Sequence, residues 1–316
     1  MRHRLSLLTV ASLLLTFGIP ASTTLSRLTS AATTTGSFAA GTLAPPTSLA
    51  ATNGATTTLT WTPSAFAVAN PATTGYSVYR STTSGSGYTF VKSVTPGTAT
   101  TTTDSPGAAT WFYVVRTTFQ SWSSVNSNQA TAIVTATSTT YKPCVTTLAD
   151  AVGAGDNNGY ETNPGQACGS DNLYAVDANS GTSTTASCGA GAVPSTTKDR
   201  HQFWAYVLGL PGSVAHIDGI RVQADVSLNA VTGTNNLCAQ LSWNGGGTWT
   251  TIKTQAITIA AKTTYIFGGT ADTWGRTWTQ GELDPTLFRV RIIDASTIAT
   301  RTYSLDYLAV SITYAP

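Results

Sequence analysis

Alternation between apolar and polar residues, the period of a β-strand, organises most of this chain. In HIDGIRVQADVSL, Ile220, Val222, Ala224, Val226 and Leu228 fall on one face, and Arg221, Gln223, Asp225 and Ser227 on the other. FRVRII sets Phe288, Val290 and Ile292 inward. The final YSLDYLAVSITY keeps Leu308, Val310, Ile312 and Tyr314 in phase. Such segments predict long antiparallel strands with one solvated face. Upstream, LTWTPS, GYSVYRS and TWFYVVRTT are shorter and rich in Thr, Val and Tyr. Gly, Pro and Ser breaks recur about every ten residues, which predicts a small β-sandwich. No repeat of fixed period is present, and helical patterns are few.

The start of the chain reads differently. Arg2, His3 and Arg4 precede an apolar run over residues 5–19, then Pro20 and small residues. The run is short for a permanent span of a ~30 Å hydrocarbon core, so residues 1–31 are expected to be a secretory signal peptide. Residues 32–44 form a low-complexity lead-in, 45–136 a first β domain, 137–143 a linker, and 144–316 a larger β-sandwich.

Composition supports an exported chain. Charged residues make up 9% of the 316 positions. Solubility therefore rests on the hydroxyls of Thr and Ser. Residues 141–316 carry ten basic against thirteen acidic side chains, and no basic stripe exists, so nucleic acid is not an expected partner. A membrane would be met only through an uncleaved leader. The four cysteines, Cys144, Cys168, Cys188 and Cys238, lack the close Cys-x2-4-Cys spacing of a zinc site and predict two disulfides. Three pairings exist; Cys144–Cys168 with Cys188–Cys238 is favoured.

The first domain resembles the fibronectin type III family over about 90 residues. PPTSLAAT stands where the family has strand A, LTWTPS strand B with Trp61 as the core indole, and GYSVYRS strand C. TWFYVVRTT takes the place of strand F with Tyr113 and Val115 inward, and NSNQATAIV that of strand G. The resemblance implies spacing and protein or glycan contact, and no catalysis. The Arg-Gly-Asp loop that binds cell receptors is missing. The lead-in TGSFAAGTLA is similar to segments of exported bacterial fibre proteins, which implies a bacterial envelope or matrix setting. The second domain is expected to be a jelly roll, so the whole chain is expected to be all-β. It resembles domains of uncharacterised secreted bacterial proteins.

Four stretches are candidates for a site. LSWNGGGTWT is similar to the Asp-box hairpin of sialidases: Ser242, Gly246, Thr248 and Trp249 match, and Asn244 replaces the usual Asp. The resemblance implies a structural hairpin. DTWGRTWT places Trp274 and Trp278 beside Arg276, a combination that could stack sugar rings. Trp204 in KDRHQFWAY is a weaker glycan candidate, with Lys198, Asp199 and Arg200 read as a solvated turn. Asp156, Asn158, Glu161, Asp171 and Asp177 offer oxygen ligands in a loop-rich stretch, so structural calcium is the one cofactor considered. Asp306, in phase with Leu308, would reach the same region or pair with an arginine.

No H-E-x-x-H, G-x-S-x-G or P-loop occurs, and nothing in the spacing of carboxylates singles out a glycosidase pair. The expected function is that of an exported, non-catalytic cell-surface or matrix protein in adhesion or scaffolding. Its partners would be surface or matrix proteins or polysaccharide. The alternatives are a carbohydrate-binding module and, less favoured, a secreted glycosidase.

Overall fold

The computed structural model describes residues 42–150 and 158–315, with the paired dipeptides Thr29–Ser30 and Phe38–Ala39. The basic and apolar parts of the expected leader, and Asp156, lie outside the described residues. The chain is all-β apart from short helical turns, and it divides into two compact units, the second built on Ile133–Pro316.

In the first unit, β1 (Thr47–Ala51), β2 (Thr57–Thr62) and β5 (Thr101–Asp104) form one sheet in the order β1-β2-β5. The facing sheet runs β7-β6-β3-β4, from β3 (Thr74–Ser81), β4 (Thr89–Val94), β6 (Ala109–Phe119) and β7 (Ala130–Val134). In letters these are A-B-E and G-F-C-C′, a fibronectin-type-III-like order. Leu59 and Trp61 from one sheet meet Tyr76, Val78, Tyr113 and Val115 from the other. Trp61 packs edge-on to Tyr76 with ring centres 5.2 Å apart. Because Tyr76 and Tyr113 are buried, each hydroxyl needs a partner. Tyr76 donates to the Gly97 carbonyl (2.6 Å) and Tyr113 to Asp104 Oδ2 (2.9 Å). The same carboxylate holds Arg80 at 2.6 Å, with the guanidinium over Trp111.

The helix α1 (Ala65–Ala69) departs from the strand pattern. Ser64 caps it by accepting from the Ala67 N–H, and the small, alanine-rich turn buries only Ala67.

The second unit has two antiparallel sheets. One runs β9-β16-β11-β14, from β9 (Ala175–Asp177), β11 (His216–Leu228), β14 (Thr263–Gly268) and β16 (Tyr303–Ala315). The other runs β8-β10-β15-β12-β13, from β8 (Thr146–Ala149), β10 (Arg200–Trp204), β12 (Asn235–Ser242), β13 (Lys253–Ala256) and β15 (Arg289–Ser296). Lettered B to I from β9, the strands read B-I-D-G against C-H-E-F, which is the jelly-roll order. Ile220, Val222, Ala224 and Val226 face Phe203, Leu237, Val290 and Ile292 across the core.

Strict alternation fails at one point of β16. Asp225 pairs with Tyr307 but Val226 with Leu305, so Asp306 is an extra, bulged residue. It is buried, and it pairs with Lys262 (2.7 Å), not with an arginine. The bulge lets Tyr303 and Leu305 face the core on one side of it and Leu308 and Val310 on the other.

The stretch 158–195, expected as loops, carries β9, a 3-10 turn (Pro164–Ala167) and a small hairpin, Gly189–Ala190 with Val193–Pro194. Two disulfides fasten it. Cys144–Cys168 ties the 3-10 turn to the chain just before β8, and Cys188–Cys238 ties the hairpin to the outer face of β12. Closing the longer loop, of separation 50, restricts the unfolded chain by about 4 kcal/mol. The Cys188→Ala/Cys238→Ala pair is therefore expected to lower the melting temperature of the second unit by about 10 °C. Calorimetry of the full chain, which follows the two units' transitions separately, checks this.

Candidate functional site

Phase, more than motif, decides which polar side chains meet in the second unit. On β15, Phe288, Val290 and Ile292 point inward, and Asp294 follows two residues later on the same face. On β10, His201 and Phe203 point inward, and Asp199 precedes them in phase. From the facing sheet, Asp177 ends β9 opposite Tyr303. The three aspartates thus converge between the sheets, at one end of the apolar core. All three are buried, and a carboxylate oxygen from each lies within 4.8 Å of the others.

The hydrogen bonds around them are uneven. Asp199 Oδ1 accepts from the backbone N–H groups of Asn158 (2.6 Å) and Gly159 (2.8 Å). Asp177 Oδ1 accepts from the Asn179 N–H (2.9 Å). The Asp177 and Asp294 carboxyls lie within hydrogen-bond reach of each other, and no other side chain among the described residues donates to Asp294 or to Asp177 Oδ2. The nearby cation, Lys198, is fully buried and gives its protons to the carbonyls of Ser183 (2.6 Å) and Ser296 (2.8 Å). Burial drives Lys198 Nζ down from its ordinary pKa. Burial drives Asp177 and Asp294 up; the Asp294 charge adds to this at Asp177, while at Asp294 a hydrogen bond with Asp177 opposes it and the Asp199 charge raises. Three carboxylates thus crowd together beside Lys198, with Arg200 acting on Asp199.

The expected calcium ligands are only partly brought together. Asp177 belongs to the cluster, and Asn158 touches it through its N–H. Glu161 is exposed and accepts from the Ala178 N–H, joining two segments, while exposed Asp171 accepts from the Leu173 N–H and caps its own turn. Asp199 and Asp294 come from outside the predicted set. Lys198, Asp199 and Arg200 are buried, which corrects the solvated-turn reading. His201, also buried, accepts from the Tyr160 N–H at Nδ1 (3.1 Å) and lies 2.6 Å from the Thr147 hydroxyl through Nε2. Burial lowers its pKa to about 4.

The aromatic motif is also corrected. Trp274 and Trp278 are each 4% exposed, so neither offers a ring face to a sugar. Trp274 donates to the Ile220 carbonyl (2.9 Å) and Trp278 to the Thr273 carbonyl (2.8 Å). Trp274 also presses on Gly268, where φ is +78° and an added Cβ would meet the Ile220 oxygen at 2.1 Å. Arg276 stacks between Trp243 (4.0 Å) and Trp278 (4.4 Å) and pairs with Glu282 at 2.7 Å. The group is a clamp closing the core.

Trp204 keeps a half-exposed position on the outer face of β10. Arg289 lies over its ring at 4.4 Å and donates to Gln202 Oε1 at 3.0 Å. Arg291, deeper on the same face, covers Trp249 at 3.7 Å and bonds Asp150 and Gln240. In the SWNGGGTW hairpin, Ser242 Oγ accepts from the Gly246 N–H (2.9 Å) and Asn244 Oδ1 from the Thr248 N–H (2.8 Å). Trp249 donates to the Gly246 carbonyl at 2.9 Å. Its polar groups serve its own turn.

No protein-family model and no curated protein matches the chain. Among solved structures it is similar to an Fn3-like protein from Clostridium thermocellum, at 32% identity, over 28% of this chain and 90% of that one (TM-score 0.24). A fibronectin type III domain from the human KIAA0970 protein is 22% identical over 29% of this chain and 74% of its own (TM-score 0.24). The CBM22-1–GH10 modules of Clostridium thermocellum xylanase 10B, complexed with xylohexaose, are 13% identical. They align over 56% of this chain and 28% of theirs (TM-score 0.27).

Acid should open the aromatic clamp. Partial burial raises the Glu282 pKa, but bonds from Arg276 and Thr279 outweigh it and hold the carboxyl below 4.5. A depressed folded pKa gives stability that is present above the unfolded value and lost as pH falls through the folded one. Tryptophan fluorescence is expected to change as pH drops below about 4.5 in the wild type. Glu282→Gln is expected to show the altered signal already at neutral pH.

Proposed function

We propose that this protein is an exported, non-catalytic protein of the cell surface or extracellular matrix that works in adhesion or scaffolding. In this reading the fibronectin-like unit is a spacer and the jelly roll is the binding part. Two disulfides support an oxidising location. No helix among the described residues is long and apolar enough to cross a membrane.

The reading rests on where the second unit puts its chemistry. Its grouped carboxylates are turned inward between the sheets, away from any substrate. Its outer face, by contrast, presents the partly exposed Trp204 with Arg289, which the buried Gln202 holds in place, beside exposed Leu148 on the edge strand β8. An indole for apolar contact next to a guanidinium and an amide for hydrogen bonds is the make-up of a surface recognition patch.

Polysaccharide binding is the second reading, and Trp204 favours it through the part of its ring that Arg289 leaves in contact with solvent. The full chain is expected to bind a surface or matrix component, with Trp204→Ala weakening that binding at least tenfold and leaving the melting temperature within a few degrees. Pull-down on a panel of insoluble polysaccharides and immobilised matrix proteins separates the two readings. Release of new reducing ends from any polysaccharide would overturn the non-catalytic assignment.

A further inference from the structure

The interior of the jelly roll contains an anionic pocket that the adhesion reading does not use. Asp177, Asp199 and Asp294 each contribute an oxygen within 4.8 Å of the others. A calcium ion sits about 2.4 Å from its oxygen ligands, so ligands around one ion lie no more than about 4.8 Å apart. The spacing therefore fits a shared ion. Ordinary repulsion would instead drive three buried carboxylates apart, or place donors on them.

Donors are lacking where they would be needed most. Asp294 is fully buried, and among the described residues it and Asp177 Oδ2 have no side-chain partner but each other, a contact between two carboxyls. A separate element supplies an independent sign. Tyr160 is 2% exposed, its hydroxyl has no hydrogen-bond partner among the described residues, and it lies within electrostatic reach of all three aspartates. Asn158 Oδ1, on the same segment, is also enclosed and without a partner among the described residues. Buried polar atoms without partners are rare, and several around one point indicate a missing polar species.

Charge and donor type narrow what that species is. Fully ionised, the three carboxylates outnumber the nearby cations, Lys198 and, beside Asp199, Arg200. The donors are carboxylate, phenol and amide oxygens, with no sulfur and no imidazole nitrogen aimed at the centre, because both ring nitrogens of His201 are engaged elsewhere. Oxygen-only sites suit hard cations. The geometry points to a structural site for a hard divalent cation of the calcium class, held by Asp177, Asp199 and Asp294 between the two sheets, with Tyr160 beside it. The ion would join β9 of one sheet to β10 and β15 of the other. This site stands apart from the outer face of the sheet and does not depend on what that face binds.

The test uses the full chain. Metal content is measured as purified, then after chelator treatment, and calcium is titrated back by calorimetry and by thermal melting, with magnesium and zinc in parallel. One equivalent of calcium in the purified protein, or one-site binding with a higher melting temperature on its return, is the expected result. Asp294→Asn gives the sharper readout. It should melt higher than the wild type in chelator, because it removes a buried charge, and should bind calcium at least tenfold more weakly. If that variant does not fold, Asp177→Asn is read in the same way. Terbium offers an independent signal, since Tyr160 should sensitise its emission and Tyr160→Phe should reduce it. Two results would overturn the site: no metal in the purified protein with no response to calcium, or an equal calcium response in wild type and Asp294→Asn.

Discussion

Burial of charge inside the jelly roll is the constraint on which the second unit depends. Its two sheets close over an apolar core along most of their length, but at one end the interior holds Asp177, Asp199, Asp294 and Lys198. Buried charges are tolerated only when paired or coordinated. The surrounding elements are arranged to meet that demand. The backbone of 158–159 turns its N–H groups to Asp199, and the carbonyls of Ser183 and Ser296 receive Lys198. The segment between the first disulfide and β10 is therefore structured by electrostatics as much as by packing, and the disulfides hold it where the charges need it.

A second economy runs through both units. In a chain with so few charged residues, the arginines lie against aromatic rings, and three of them, Arg80, Arg276 and Arg291, also hold a carboxylate. Arg80 covers Trp111 and Arg116 covers Tyr79 in the first unit; Arg276, Arg289 and Arg291 cover Trp278, Trp204 and Trp249 in the second. The weakly hydrated, planar guanidinium loses little on leaving water and gains from the ring face. This explains why tryptophans beside arginine in the sequence are poor guides to a sugar site here. In the Trp274–Trp278 stretch the ligand of the ring is the protein's own Arg276.

The strand pattern made the architecture legible. Period-two segments such as 216–228 and 303–315 are recovered as the long neighbours β11 and β16, and Trp61 and Tyr113 take core positions in the first unit. The pattern held a further signal at the candidate site. Asp294 continues the inward phase of Phe288, Val290 and Ile292, and Asp199 precedes His201 and Phe203 in the same way. An acidic residue in an inward phase marks a buried carboxylate, whereas Asp171, in loop-like sequence, caps a turn at the surface. The bulge at Asp306 escaped the pattern because one inserted residue reverses which face every later residue occupies.

By itself the amino-acid sequence determined the all-β class, the two-part order, and the inward faces of the long strands, because side-chain direction in a strand follows local alternation. Only the tertiary structure decided that residues as distant as Asp177 and Asp294 share one interior site, that Trp274 and Trp278 are enclosed, and that Trp204 stays in contact with solvent. Those outcomes depend on which strands pair and which sheets face each other. Such long-range choices are made by the summed packing of the core and leave no mark in the spacing of the residues concerned.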